Sequence, residues 1–334
     1  MAKILLTGGA GYIGSHLSAL ASEIGHETVI YDNFCNSDSE ILEKIEELTG
    51  KPLQVVEGDI RDTELLSKTL VENQISSVIH LAGLKSVEES VNNPSLYQEV
   101  NVEGSRSLLS AMESSNVFRL IFSSSATVYG VPQYLPLDEL HPLSAVNPYA
   151  ESKIAVEQLL KSYVDQNPSW KILSLRYFNP VGSHKSGLLG DNAKALKANL
   201  MPMIARAVMG KLDFLEIYGS DYHTPDGTCL RDYIHILDLV EGHLRGLSYQ
   251  DKMRGFDAIN LGTGQGISVL EMIKAFEAIA DKTIPVKYTG RREGDVESCY
   301  ANCQKAEKLL GWKASRSLKE MCESTWHWCR KLDE

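Results

Sequence analysis

A short apolar run, Ile4-Leu5-Leu6-Thr7, leads straight into Gly8-Gly9-Ala10-Gly11-Tyr12-Ile13-Gly14 and then into a helical pattern. A strand, a glycine loop and a helix in direct succession restrict what the chain can fold into more than any other stretch. Gly8, Gly11 and Gly14 follow a G-x-x-G-x-x-G spacing, and Gly9, Gly11 and Gly14 also satisfy G-x-G-x-x-G. One such glycine makes the tight turn, a second lets the backbone approach a pyrophosphate, and the last lets the helix lie close on the strand. The phosphates then face free backbone N–H groups at the positive end of the helix. The loop therefore reads as a dinucleotide site that takes in Tyr12 and Ile13 along with the glycines.

The alternation continues along the first half. Thr28-Val29-Ile30-Tyr31, Leu53-Gln54-Val55-Val56, Ser77-Val78-Ile79-His80, Leu120-Ile121-Phe122-Ser123 and Lys171-Ile172-Leu173-Ser174-Leu175 read as strands two to six. Such short, mostly β-branched or apolar runs suit strands buried on both faces. Helical patterns near 13–23, 62–72, 95–115 and 149–166 fill the gaps, which predicts a parallel sheet with helices on both sides. The fold class is α/β: a Rossmann-type doubly wound parallel sheet, with residues 1–180 as the dinucleotide-binding domain. After Asn179-Pro180 the pattern turns to glycine and polar runs, with a helix near 200–210 and a strand at Leu215-Glu216-Ile217-Tyr218. Residues 181–334 are expected to form a smaller C-terminal α+β substrate lobe, with strands near 232–236 and 258–261 returning to the first domain.

Asp32 closes strand two near the ~20-residue offset at which an acid accepts hydrogen bonds from a ribose. No Arg or Lys occurs from 33 to 43 to receive a 2′-phosphate, which favours NAD over NADP. Asp59 and Ile60, after strand three, are placed to meet the adenine, and Asp59 or Asp62 equally suits the N-cap of the next helix. Leu81, Ala82 and Gly83 follow strand four, where small residues let a cofactor cross the carboxyl edge of the sheet. Lys85 can reach a phosphate or a ribose there.

Ser123-Ser124-Ser125-Ala126-Thr127-Val128-Tyr129-Gly130 follows strand five and offers hydroxyls at a strand's carboxyl end. A serine run by itself is more often turn chemistry than catalysis. Tyr149 and Lys153 behind it reverse that weighting. They stand four apart in a helical pattern, so phenol and ammonium project from one face. A neighbouring cation lowers the cost of a tyrosinate and makes the phenol usable as a base. A phenol of pKa about 10 must fall by about three units to act near neutrality, worth roughly 4 kcal/mol.

The glycine loop, Asp32, the Ser-Ser-Ser-Ala-Thr-Val-Tyr-Gly run and Tyr149-x-x-x-Lys153 together resemble the extended short-chain dehydrogenase/reductase superfamily. Within it the chain resembles the UDP-galactose (UDP-glucose) 4-epimerases over nearly its full length. The specific matches are Asp32-Asn33, Gly58-Asp59-Ile60, Ala82-Gly83-Leu84-Lys85 and Leu175-Arg176-Tyr177-Phe178-Asn179-Pro180-Val181-Gly182 in the first half. In the second half they are Asp226-Gly227-Thr228, Arg231-Asp232-Tyr233-Ile234-His235 and Arg291-Arg292-Glu293-Gly294-Asp295.

The resemblance implies an NAD that is reduced and reoxidised within one turnover, a UDP-sugar substrate and a transient 4-keto sugar. It implies Tyr149 as the proton acceptor at the sugar 4-hydroxyl, with Ser125 bonding the 4-oxygen and shuttling its proton. Lys153 would hold the nicotinamide ribose as well, Asn33 would join Asp32 at the cofactor, and Phe178 would pack near the nicotinamide. Asn179, Asn199 and Leu200 would hold the diphosphate. Arg231 and Arg292 would grip it with planar, bidentate donors. Tyr218 would stack on uracil, and Asp295 would meet the uridine ribose. Cys299 stands where some members carry a bulky tyrosine. Its small size implies room for an N-acetyl group at the sugar 2-position, extending the substrates to UDP-GlcNAc and UDP-GalNAc. Val100, beside Asn101, stands where many relatives carry polar residues. A homodimer is implied, through the helices near 95–115 and 149–166.

The formal net charge of −11 argues against a chain that coats nucleic acid. No apolar run approaches the ~20 residues of a membrane span, and the N-terminus lacks the pattern of a signal peptide. The six cysteines include no Cys-x-x-Cys, so reduced thiols, no metal site and a cytoplasmic location are expected. A nucleotide-sugar 4,6-dehydratase would share the fold, the NAD and the Tyr–Lys pair. That family places Asp-Glu after the strand-five hydroxyl residue, where this chain has Ala126 and Thr127. A UDP-glucuronate 4-epimerase would want a group for the carboxylate that the sequence does not offer. A dinucleotide sensor without chemistry would typically have lost the tyrosine or the lysine.

Overall fold

Alternating apolar side chains set the architecture of the first half. Ile4 and Leu6 face one side of the first strand and Leu5 the other, and all three are fully buried. Ile121 against Leu120 and Phe122, and Leu173 and Leu175 against Ile172, repeat the arrangement two and three strands away. A sheet apolar on both faces must be covered on both faces.

The structure, a computed structural model, describes residues 2–191, 199–292 and 294–333. Its elements begin β1 (Lys3–Thr7), α1 (Tyr12–Glu23), β2 (Glu27–Asp32), α2 (Glu40–Thr49), β3 (Gln54–Glu57), α3 (Thr63–Glu72) and β4 (Ser77–His80). Next come α4 (Val87–Asn92), α5 (Pro94–Tyr97), a π-helical turn (Gln98–Glu103), α6 (Gly104–Ser114), β5 (Arg119–Ser125), α7 (Pro148–Gln166), β6 (Lys171–Tyr177) and β7 (Asn179–Val181). The second half holds α8 (Leu200–Val208), β8 (Leu215–Tyr218), β9 (Leu230–Arg231), β10 (Tyr233–His235), α9 (Ile236–Tyr249) and β11 (Gly255–Leu261). It ends with β12 (Ile267–Ser268), α10 (Val269–Ala280), β13 (Val286–Thr289), β14 (Ser298–Cys299), α11 (Gln304–Leu310) and α12 (Leu318–Asp333).

Seven parallel strands form one sheet in the order β11-β6-β5-β4-β1-β2-β3. Leu17, Leu239, Val240, Leu244 and Leu310, from α1, α9 and α11, cover one face. Leu66, Leu70, Leu108, Met112, Val156 and Leu160, from α3, α6 and α7, cover the other. Each fully buried aliphatic side chain contributes about 1.5–3 kcal/mol. Strand order reverses between β1 and β4, and a sheet of this kind opens its crevice at the carboxyl ends beside that point.

The segment near 95–115 is not one helix. Pro94 starts α5, and the π turn inserts an extra residue before α6. That turn aims the buried Asn101 inward. Its Oδ1 accepts from the Leu84 N–H at 2.8 Å, and its Nδ2 donates to the Leu84 carbonyl at 3.1 Å and to Ser152 Oγ at 3.0 Å. Mid-helix π turns often mark such functional constraints.

Beyond β7 the chain builds a lobe around Ile204, Leu215, Ile217, Met272, Phe276 and Met321. Gly255–Leu261 joins the large sheet beside β6, whereas Tyr233–His235 pairs with Asn179–Val181 in a separate two-stranded sheet. Buried Asp232 ties the pieces together: its carboxylate accepts from Thr263 N–H and hydroxyl, Gly264 N–H and Ala301 N–H at 2.6–3.1 Å. Among the described residues, no helix is long and apolar enough to cross a membrane.

Candidate active site

A cleft of about 1120 Å³ opens at the carboxyl ends of the central strands. At its nucleotide end the glycines meet real steric limits. Gly8 has φ +71°, and a Cβ there would lie 2.7 Å from the Ala82 backbone nitrogen. A Cβ on Gly14 would lie 2.5 Å from the Gly8 carbonyl oxygen. The N-cap of α1, Gly11, offers no side chain to the first-turn N–H groups. Such uncapped donors at a helix start form a ready anion site.

Asp32 pins this loop in place. One carboxylate oxygen accepts from the Ala10 N–H at 3.0 Å, and the other accepts from the Phe34 N–H at 2.9 Å and the Ser37 hydroxyl at 3.1 Å. Gly8, Gly11, Tyr12, Ile13, Gly14, Asp32, Asn33, Ile60, Leu81, Ala82, Gly83 and Lys85 all line the cleft. Lys85 lies 4.0 Å from Asp191, and Lys44 of α2 also faces in, just beyond the lysine-free stretch. Asp59 turns elsewhere. Its carboxylate accepts from Arg61 and Asn33, and the Arg61 guanidinium holds it well below the usual range. The cap of α3 is Asp62, which accepts from the Leu65 N–H at 2.9 Å. A glycine cradle that a Cβ would fill, an uncapped helix and a carboxylate fit a dinucleotide's pyrophosphate and ribose.

The reactive end is built by α7 against β5. Asn147 caps α7 by accepting from the Ala150 N–H at 2.9 Å, and Pro148 occupies the first turn. Tyr149 thus enters the cleft from the first turn, with Lys153 one turn deeper on the same face. Lys153 Nζ donates to the Ser123 carbonyl at 2.8 Å and lies 4.9 Å from the Phe122 ring centroid and 5.8 Å from that of Tyr149. Burial lowers Lys153 to about 8, with Glu157 pulling the other way. Ser125 ends β5, and its Oγ accepts from the Thr127 N–H at 3.2 Å and the Thr127 hydroxyl at 3.0 Å. With its lone pairs so engaged, the Ser125 proton is free to be donated into the cleft. The Lys153 ammonium, 5.8 Å from the Tyr149 ring centroid, is one of the groups around the phenol. Burial raises the phenol above its ordinary value, and the Ser125 hydroxyl is the group that opposes this.

The end of the first domain and the second lobe together supply the far wall. Asn179 and Asn199 line the cleft, as do Phe178 and Asp295. Arg231 is fixed by its own lobe, donating to the Leu230 and Val296 carbonyls at 2.9 and 2.8 Å and meeting Asp295 at 3.4 Å. The Arg292 guanidinium lies 4.3 Å from the Tyr218 ring centroid and so covers that ring, whose hydroxyl donates to Glu216. Leu200 opens α8 and packs on the lobe's apolar cluster outside the cleft lining. Cys299, half-buried, packs on the apolar cluster that holds Ala126, Phe178 and Ala301, and burial pushes its thiol up to about 11.

A family model described as GDP-mannose 4,6 dehydratase matches residues 5–325. The UDP-glucose 4-epimerase of Bacillus subtilis is 47% identical over 325 residues, 97% of this chain and 96% of that protein. The chain belongs to the UDP-glucose 4-epimerase family. A crystal structure of the Stenotrophomonas maltophila UDP-glucose-4-epimerase with bound NAD and formylated UDP-arabinopyranose has a TM-score of 0.97. It is 43% identical, covering 100% of this chain and 99% of that one. The Bifidobacterium longum UDP-glucose 4-epimerase in complex with NAD+ and UDP has a TM-score of 0.96 at 46% identity, covering 98% of each chain.

In this member of the UDP-glucose 4-epimerase family, Ser123, Thr127 and Tyr177 line the cleft beside the residues the sequence singles out. Thr127, which stands where a dehydratase would carry an acid, orients Ser125 through its N–H and its hydroxyl. Ser123 serves through its carbonyl, which no side-chain pattern reveals. Tyr177, at the end of β6, lines the cleft and pairs with His243. The Asn147-Pro148 pair was a readable helix-start signal.

Proposed function

We propose that this chain is an NAD-dependent isomerase that interconverts UDP-glucose and UDP-galactose by inversion at C4. The observation that carries this reading is the convergence of Tyr149, Lys153 and Ser125 with the glycine loop and Asp32 in one cleft. Gly8 to Gly14, Asp32, Asn33, Leu81 to Gly83 and Lys85 would hold NAD, with Ile60 and Phe178 packing beside it. When bound, NAD supplies the hydride acceptor and donor and a positively charged ring.

Tyr149 takes the proton of the sugar 4-hydroxyl and later returns it. Ser125, oriented by Thr127, donates to the 4-oxygen and relays that proton. Lys153 stabilises the tyrosinate as a neighbouring cation. Because burial raises Tyr149, this stabilisation must exceed that of a solvated phenol. Asn179, Asn199, Arg231 and Arg292 are assigned to the diphosphate, and Asp295 to the uridine ribose. Tyr218 is assigned to uracil, which requires Arg292 to leave its ring. Asp59 is held by Arg61 and Leu200 by the apolar cluster, so both are assigned a supporting part. The 4-keto sugar turns over between transfers, which a grip confined to the diphosphate permits.

The dehydratase reading lacks its acid and base, since Ala126 is apolar and Thr127 is committed to Ser125. A small Cys299 on the apolar cluster that holds Phe178 supports acceptance of UDP-GlcNAc and UDP-GalNAc as well. A homodimer through α6 and α7 is part of the same proposal. Exposed Val87, Val91 and Leu96 on the neighbouring α4 and α5 support it. Purified protein incubated with UDP-galactose, and separately with UDP-GalNAc, without added NAD should form the 4-epimer of each. No product from UDP-galactose, even when NAD is then added, would overturn the reading.

A further inference from the structure

Tyr149, Lys153 and Glu157 follow at four-residue intervals on α7, so one stripe carries a phenol, an ammonium and a carboxylate. The chemistry above uses the first two and leaves Glu157 unexplained. Its side chain is 1% exposed, and a charge so buried persists only when it is paired and hydrogen-bonded. Glu157 Oε1 accepts from Ser124 Oγ at 2.7 Å, Ser174 Oγ at 2.8 Å and Arg176 Nε at 3.0 Å, while Oε2 accepts from the second Arg176 nitrogen at 2.7 Å. These donors come from the carboxyl ends of β5 and β6. Ser124 stands between Ser123, whose carbonyl holds Lys153, and Ser125.

We propose that Glu157 is a positioning residue, clamping the Ser123–Ser125 end of β5 to α7 and supplying the negative charge that keeps Lys153 an ammonium. The inference rests on the epimerase reading. Lys153 faces Tyr149 and Glu157 on its own helix, His80 on β4, and Phe122 and the Ser123 carbonyl on β5. His80 stays neutral, lowered to about 3 by burial and then by Lys153 itself. Glu157 is the anion that acts on Lys153, and it opposes the burial that lowers the ammonium to about 8. Burial also works against the Glu157 charge, but Arg176, Ser124 and Ser174 outweigh it and hold the carboxyl below its ordinary value.

The test is the pH profile of kcat for UDP-galactose with the NAD-loaded enzyme. In the double variant E157Q/R176Q two neutral amides replace the ion pair, so neither charge is left buried without its partner. Its high-pH limb should move about one unit toward acid, the lower end of what an opposite charge one turn away contributes. E157D keeps the charge and should leave the limb in place. S124A removes a hydroxyl and no charge, so it should lower kcat several-fold with KM and the limb unchanged. A limb unmoved in the double variant, or moved equally in E157D, overturns the electrostatic role. Unchanged kcat in S124A overturns the clamp. An unmodified enzyme that fails to turn over UDP-galactose would instead sink the epimerase reading itself.

Discussion

The Thr127 hydroxyl donates to Ser125 Oγ at 3.0 Å, and the Thr127 N–H donates to the same oxygen at 3.2 Å. A serine that accepts two hydrogen bonds presents its proton outward, as a relay to a sugar oxygen requires. Replacing Thr127 with Val removes one of the two and leaves the backbone bond. A net hydrogen bond of about 1 kcal/mol corresponds to roughly a fivefold change in rate. Steady-state kinetics of T127V should therefore show kcat down by about that factor, with NAD affinity unchanged.

Lys153 carries its charge at a cost. Its folded pKa of about 8 lies below the ordinary 10.5, so the folded state binds this proton less tightly than the unfolded chain does. The destabilisation is fully present below pH 8 and is relieved as pH rises from about 8 toward 10.5. Activity runs the other way and should fall through the same window. K153M should accordingly abolish turnover while leaving the thermal midpoint at pH 7 equal to or above that of the unmodified protein.

Buried histidines set the acid limit. His16 and His80 are held near 3 and His243 near 4, each chiefly by burial. The unfolded chain binds their protons near pH 6.5, so stability falls as pH drops from about 6.5 toward 4. Three protons correspond to roughly 4 kcal/mol per pH unit. Denaturant titrations at pH 7, 6 and 5 should show that steepening loss.

Cys299 offers a specificity test. It packs on the apolar cluster that includes Phe178, a residue of the cleft lining, so a larger side chain there crowds that wall. C299Y should reduce turnover of UDP-GalNAc by at least tenfold while sparing UDP-galactose. Equal losses on both substrates would show that the position does not discriminate.

The fold was legible where strands are buried on both faces. There a continuous apolar run has one reading, as at Ile4 to Thr7 and Leu120 to Ser123. Helix α2 carries Ile41, Ile45 and Leu48 at helical spacing, a signal diluted by its glutamates. The π turn was hidden because its cause is tertiary: Asn101 grips Leu84 and Ser152, which no local periodicity reports. Tyr149, Lys153 and the glycine loop were legible as a group because their spacing along strand, loop and helix brings them into one cleft. The Arg61 hold on Asp59 and the Arg292 cover on Tyr218 depend on side-chain orientation, which spacing leaves open.

The central claim is that Tyr149 is the acid–base residue at C4 of a UDP-sugar. Substituting Phe removes one oxygen and leaves the ring that meets Tyr97 edge-on at 6.4 Å. Turnover of UDP-galactose by Y149F, measured alongside its NAD content, tests this directly. Y149F is expected to lose at least a thousandfold in kcat with NAD binding retained; Y149F working at the unmodified rate would show that another group moves the proton.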